Sequence, residues 1–240
     1  MTQRTQATFV LIHGAWHGGW CWKKLTPLLR AAGHEVYTPT LTGLADRAHL
    51  LSPQIGLNTH IADITALLEY EDLHNVILVG HSYGGMVITG VAEVAAQRLA
   101  HLVFLDAFVP QDGQSLFDTI PDHGAPMQKI AAEAGDGWHV PLGKATFGVT
   151  DEADLAWMAT RITSQPLRSF EEPVHLTDPA ALALPRSYVL CRKEGPSLFY
   201  PFAEQARHAG WGYYELTACH DAMITEPEEL AAILLQVVAA

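Results

Sequence analysis

Cysteine is scarce in this chain, positive charge is outnumbered, and long apolar runs are missing. Only Cys21, Cys191 and Cys219 occur in 240 residues. An odd number at such wide spacing fits no zinc pattern, and a Cys191–Cys219 bridge between neighbouring strand ends is the less favoured alternative to free thiols. Reduced thiols in a cytoplasmic protein are the expected state. Lysine and arginine total 14 against 26 acidic residues, a net charge of −12 with histidine neutral. That balance argues against nucleic acid or an anionic membrane surface as a partner. No stretch approaches the roughly 20 apolar residues of a membrane span. Met1–Ala7 lacks the basic-then-apolar order of a signal peptide. There are no internal repeats or low-complexity tracts. Charged residues make up 17% and hydrophobic residues 49%, which excludes a disordered chain and suits one domain with a substantial core.

Short apolar runs alternate with helical patterns. Thr8–His13, Glu35–Thr38, Asn75–Gly80 and Leu99–Asp106 read as strands. Trp20–Ala31 reads as a helix stopped at Gly33, Thr59–Tyr70 as a helix capped at Asn58 or Thr59, and Gly84–Gln97 as an apolar helix. The rhythm stops after Asp106 and resumes with a strand at Arg186–Cys191, a helix at Leu198–Ala209, a strand at Tyr213–Thr217 and a terminal helix at Pro227–Val238. Six apolar strands separated by helices imply right-handed crossovers in a mostly parallel sheet with both faces covered. The expected organisation is an α/β core at residues 1–107 and 185–240, interrupted at 108–184 by a mostly helical cap.

The segment Gly80-His81-Ser82-Tyr83-Gly84-Gly85 contains the G-x-S-x-G pattern between a buried-type strand and an apolar helix. Serine at such a sharp turn is lifted above the sheet, and the flanking glycines remove Cβ atoms that would clash. A serine hydroxyl is a weak nucleophile at neutral pH and needs a base within hydrogen-bond reach. Of 13 histidines, His220 has the right place, between the last strand and the terminal helix, and completes the order serine, acid, histidine. His81 is expected to point away from Ser82, and His13 to border the oxyanion pocket. The acid should end a strand and orient the imidazole. Glu194, after Arg186–Cys191, and Asp106, after Leu99–Leu105, both qualify; Glu194 is preferred. Asp221 reads as a helix-entry or supporting residue. The backbone N–H groups of Tyr83 and Ala15 are the expected oxyanion donors.

These pieces resemble the family of plant methylesterases, hydroxynitrile lyases and related bacterial esterases within the α/β-hydrolase superfamily. The resemblance rests on His13-Gly14-Ala15-Trp16-His17-Gly18-Gly19-Trp20-Cys21-Trp22, Gly33-His34-Glu35-Val36, Leu41-Thr42-Gly43-Leu44, Gly80–Gly85, Leu105–Pro110 and His220-Asp221-Ala222-Met223. It implies an α/β-hydrolase fold with Ser82 and His220 in the triad. It also implies an acid three residues after a strand cysteine, which is Glu194 after Cys191, where the family usually has aspartate. Cys219 stands where the family often has glycine. The lyases tend to carry lysine after the triad histidine and threonine in the first oxyanion turn; Asp221 and Ala15 stand there in this chain. Both departures favour ester hydrolysis.

The expected partner is thus a small to medium, mostly apolar ester, cleaved through an acyl-enzyme without metal or organic cofactor. Trp16, Trp138, Phe147, Trp157, Met158 and Met223 are the candidate lining residues. A lyase with the same triad and a non-catalytic binding protein on the same fold are the rival readings.

Overall fold

A computed structural model describes residues 6–143, 145–192 and 197–239. Strand β1 (Thr8–Ile12) is followed by a 3-10 turn at Gly19–Lys23, helix α1 (Thr26–Ala31) and strand β2 (Glu35–Tyr37). The single helix expected over Trp20–Ala31 is therefore two pieces. Pro27 sits in the first turn of α1, where its missing N–H costs nothing, and it cannot continue a helix begun upstream. Next come α2 (Leu57–Tyr70), β3 (Val76–His81), α3 (Gly84–Ala95) and β4 (Leu99–Leu105). Gly56 caps α2 and its N–H donates to Thr59 Oγ1, so Thr59 serves the helix start from inside it.

After β4 the chain leaves the sheet. It forms α4 (Leu116–Thr119), α5 (Pro121–Ala134), β5 (His139–Val140), α6 (Glu152–Ala159), β6 (Gln165–Pro166), α7 (Arg168–Glu171) and α8 (Pro179–Ala183). β5 and β6 pair antiparallel as a two-residue ribbon, the only strand structure among the described residues of this segment. The core then resumes with β7 (Arg186–Cys191), α9 (Tyr200–His208), β8 (Gly212–Leu216), α10 (Ala222–Thr225) and α11 (Pro227–Ala239).

The main sheet has the order β2-β1-β3-β4-β7-β8, and every pairing in it is parallel. Alternation along the strands splits the core in two. Val10, Ile12, Leu78 and Phe104 face the side covered by α2 and α3. Phe9, Leu11, Val79, Val103 and Val189 face the side covered by α1 and α11. All six residues of β3 are buried, as a strand covered on both faces requires. Each buried valine, leucine, isoleucine or phenylalanine of these strands contributes about 1.5–3 kcal/mol of transfer free energy. Parallel strands place all their carboxyl ends on one edge. The loops after Ile12, His81, Leu105 and Leu216 therefore emerge together, although their residues lie far apart in sequence. Among the described residues no helix is long and apolar enough to cross a membrane, and the three cysteines form no disulfide.

Candidate active site

The β3–α3 turn shows why its glycines are needed. A Cβ on Gly80 would sit 2.6 Å from the carbonyl oxygen of Gly84, and one on Gly84 would sit 2.8 Å from that of Ile12. Ser82 itself has φ +53°, a left-handed conformation that costs a non-glycine residue about 1–3 kcal/mol unless its surroundings impose it. Three backbone hydrogen bonds do so. Ser82 N–H donates to Leu105 O at 3.2 Å, and Ser82 O accepts from Gly85 N–H at 3.0 Å and Phe108 N–H at 3.2 Å. The serine is thus clamped between its own helix and the end of β4.

The end of β4 carries Asp106, the alternative acid of the sequence reading. Asp106, also at positive φ (+41°), is buried, and its N–H donates to Val189 O at 2.8 Å. Its Oδ1 accepts from Cys191 N–H at 3.2 Å, and its Oδ2 accepts from His220 Nδ1 at 2.6 Å. That bond fixes the proton on Nδ1 and leaves Nε2 as the basic nitrogen. Glu194, the preferred acid of the sequence reading, lies outside the described residues. The alternative, Asp106, is the carboxylate on the imidazole. His220 is held on further sides. Phe199 stacks on its ring, and His81 packs against it at 4.4 Å between centroids while donating from Nε2 to His220 O at 3.0 Å. His81 thus supports the loop that carries His220. Burial, followed by the neighbouring His220 and His17, pushes its pKa well below the usual histidine range.

The turn after β1 faces the serine closely. A Cβ on Gly14 would lie 3.0 Å from Ser82 Cβ. Among the described residues, neither Ala15 N–H nor Tyr83 N–H donates to another backbone carbonyl. His13 does not border the cavity. It lies beneath the turn, with Nδ1 donating to Gly14 O at 2.8 Å and Nε2 accepting from Leu41 N–H at 3.1 Å. Burial lowers its pKa to about 3, keeping it neutral. Tyr83 O–H donates to His60 Nδ1 at 2.8 Å, and His60 Nε2 donates to Thr42 O at 3.0 Å. Burial likewise lowers His60 to about 4.

Ser82, His220, Ala15 and Tyr83 converge on one cavity of about 190 Å³, walled mainly by Trp16, Phe108, Phe147, Phe170 and Phe199. Two of the six expected lining residues, Trp16 and Phe147, are on this wall. The others are placed elsewhere by packing. Trp157 stands edge-on to Trp20 at 5.0 Å with Arg161 over its face, and Trp138 packs on His139. Met158 and Met223 are buried in the core layer on the α1–α11 side.

Residues that no sequence motif announced complete the site. Gln165, fully buried, accepts Trp16 N–H at 3.0 Å and donates to Ser169 Oγ at 2.7 Å. Trp16 Nε1 donates to Val140 O at 2.8 Å, and Thr163 N–H donates to Trp16 O at 3.1 Å. The turn after β1 is thereby tied to the inserted segment by backbone on both sides of Trp16. Wherever an aromatic lines this cavity, its period resembles that of core residues, so only the fold separates the two.

Known proteins similar to this chain place it in a family. A carbendazim hydrolyzing esterase of Nocardioides sp. (strain SG-4G) is 42% identical over 238 residues, covering 94% of this chain and 97% of that protein. Salicylic acid-binding protein 2 of Nicotiana tabacum is 28% identical, covering 95% and 96%. Among solved structures, an extracellular α/β-hydrolase from a Paenibacillus species superposes with a TM-score of 0.82 at 27% identity, covering 96% and 98%. The model of the alpha/beta hydrolase family matches residues 9–233, and the chain belongs to that family.

Proposed function

We propose that this protein hydrolyses small to medium, mostly apolar carboxylic esters through an acyl-enzyme on Ser82. The observation that carries the reading is the 2.6 Å contact between His220 Nδ1 and Asp106 Oδ2 beside an apolar cavity that His220 and Ser82 both line. The reaction follows from the parts. His220 Nε2 accepts the hydroxyl proton as Ser82 Oγ bonds to the ester carbonyl carbon. The carbonyl π electrons move onto oxygen, where the N–H groups of Ala15 and Tyr83 receive the charge. Asp106 holds the imidazole in the required tautomer and offsets its positive charge. Collapse of the intermediate breaks the carbon–alkoxy bond, and His220 protonates the departing alkoxide to the alcohol. Water, deprotonated by the same nitrogen, then releases the acid and restores Ser82.

The family relatives named as an esterase and as methylesterases support hydrolysis as the reaction. The cavity supports the substrate class, since its walls are aromatic and aliphatic and a cavity of about 190 Å³ admits a compact group. No cationic side chain among the described residues lines it, which favours ester cleavage over the release of a cyanide anion. The inserted segment, residues 108–184, is proposed as the cap, supplying Leu116, Ile120, Met127, Phe147 and Phe170 to the roof.

An active-site fluorophosphonate is expected to label the wild type and not Ser82→Ala, and a nitrophenyl ester series to be turned over with a preference for short acyl chains. Absence of labelling together with absence of ester turnover would overturn the proposal.

A further inference from the structure

Beside the proposed centre lies a buried ion pair that the reaction above does not use. His17 Nε2 is 3.1 Å from Asp221 Oδ2, with side-chain exposures of 1% and 0%. The other ring nitrogen, Nδ1, lies 2.8 Å from Ala15 O. Both nitrogens face acceptors, so both carry protons and the ring is an imidazolium. Burial is the largest influence on His17 and opposes that charge. The charge of Asp221, its hydrogen bond and the Ala15 carbonyl together outweigh it and raise the pKa. The remaining neighbours add no competing charge. His81 Nε2, 3.9 Å from Asp221 Oδ1, is kept neutral by burial, Cys21 is a buried thiol whose pKa is pushed up, and Trp20 and Phe147 cover the His17 ring.

The pair joins two loops that the reaction needs in fixed register. His17 grips the carbonyl of the residue whose N–H is the proposed oxyanion donor. Asp221 directly follows His220, whose own carbonyl is held by His81. Moreover, the charges are ordered. The positive member is beneath the oxyanion turn, and the negative member belongs to the loop of the base. Charge separation in the reaction has the complementary order, an oxyanion at Ala15 and an imidazolium at His220. A dipole fixed in this sense before substrate arrives needs no reorganisation during the reaction.

We infer that His17 and Asp221 are positioning residues, a buried electrostatic strut that sets the oxyanion turn against the loop of the base and favours charge separation between them. The inference rests on the esterase reading and extends it to a residue pair that the reaction itself does not use.

Kinetics on a nitrophenyl ester, with the inhibition constant of an alkyl boronic acid, test it in Asp221→Asn and His17→Gln. Boron takes Ser82 Oγ as a fourth ligand and places an oxygen in the oxyanion site. In both variants kcat is expected to fall roughly 10- to 100-fold, the range of a weakened oxyanion donor. KM should stay within about threefold, and the boronic acid should weaken in parallel with kcat. Turnover and inhibition unchanged in folded variants, or a loss confined to KM, would overturn the inference. A second measurement needs no variant. At pH 7 the ring nitrogens of His17 in the wild type should resonate as an imidazolium, and a neutral tautomer there also overturns it. If the esterase reading itself fails, the wild type neither takes the fluorophosphonate nor turns over ester; if only the strut fails, the wild type does both.

Discussion

Phe199 lies flat on the imidazole of His220, with ring centroids 4.7 Å apart and planes within 8°. His81 packs the same ring at 4.4 Å, and Asp106 holds its Nδ1 edge. The His220 ring is thus oriented by aromatic contact as well as by the carboxylate. Such pairs contribute about 0.5–1.5 kcal/mol beyond area burial, so Phe199→Leu, which keeps an apolar wall and removes the stack, should lower kcat by up to about tenfold. Single-turnover acylation should slow by the same factor. Unchanged acylation would show that the stack orients nothing.

Asp106 and Glu194 make opposite predictions. The contact to His220 Nδ1 and the support from Cys191 N–H belong to Asp106. Asp106→Asn tolerates the positive φ of that position and keeps a side chain of the same shape, but it cannot balance an imidazolium or fix the same tautomer. Turnover should drop by about 10⁴-fold, while Glu194→Gln stays near wild type. Steady-state kinetics on one ester decide the pair, and the reverse ranking would return the acid to Glu194.

Why the sequence left that choice open is instructive. Both carboxylates follow a strand of the parallel sheet, and periodicity locates strand ends without giving side-chain direction there. The direction of Asp106 depends on a φ of +41°, imposed by a hydrogen bond to Val189 on the neighbouring strand. Ser82 was legible because its strain needs glycines at fixed offsets, and that need is written locally. The inner strands were legible because burial on both faces favours apolar runs, as in Val76-Ile77-Leu78-Val79, whereas β2 and β8 at the sheet edges keep exposed residues and were read from their place in the alternation. The cavity was not. Phe108, Phe170 and Phe199 come from three separate segments, and nothing near them in the chain distinguishes a wall residue from a core residue. Trp157 and Trp138 have the same local character and pack elsewhere.

Tyr83 separates backbone from side chain. Its proposed part in the reaction is its N–H, whereas its hydroxyl donates to His60 in the core. Tyr83→Phe keeps the amide and the ring against Phe170 but leaves His60 Nδ1 buried without a donor. An unsatisfied buried group costs about 1–3 kcal/mol, a fall in Tm of roughly 2–12 °C for a chain of this size. kcat should remain within about threefold of wild type. Thermal melting beside ester turnover measures both, and a collapse of kcat at unchanged Tm would assign the hydroxyl to the chemistry instead.

Three buried histidines set the acid limit of the fold. Burial lowers His13 to about 3, His60 to about 4 and His81 well below its usual value. In the unfolded chain each titrates near 6.5. The unfolded state therefore binds more protons as pH falls through 6.5, and the stability that neutral burial provides, full above that pH, is progressively lost below it. Each histidine contributes a slope of at most about 1.4 kcal/mol per pH unit. His17 has the opposite sign. Its raised pKa gives stability that is full below 6.5 and lost as pH rises through the folded value, so it adds no slope on the acid side. Glu93, Asp118 and Glu215, all lowered by hydrogen bonds, lose their contribution only below about 4.5. The interval from pH 6 to pH 5 thus isolates the histidines. Urea unfolding across it should show an uptake of two to three protons, roughly 3–4 kcal/mol of lost stability. His60→Gln should reduce that slope by about one proton. A flat urea midpoint over the same interval would mean that these rings are charged or hydrated in the folded state, contrary to the donor–acceptor pattern that keeps His13 and His60 neutral.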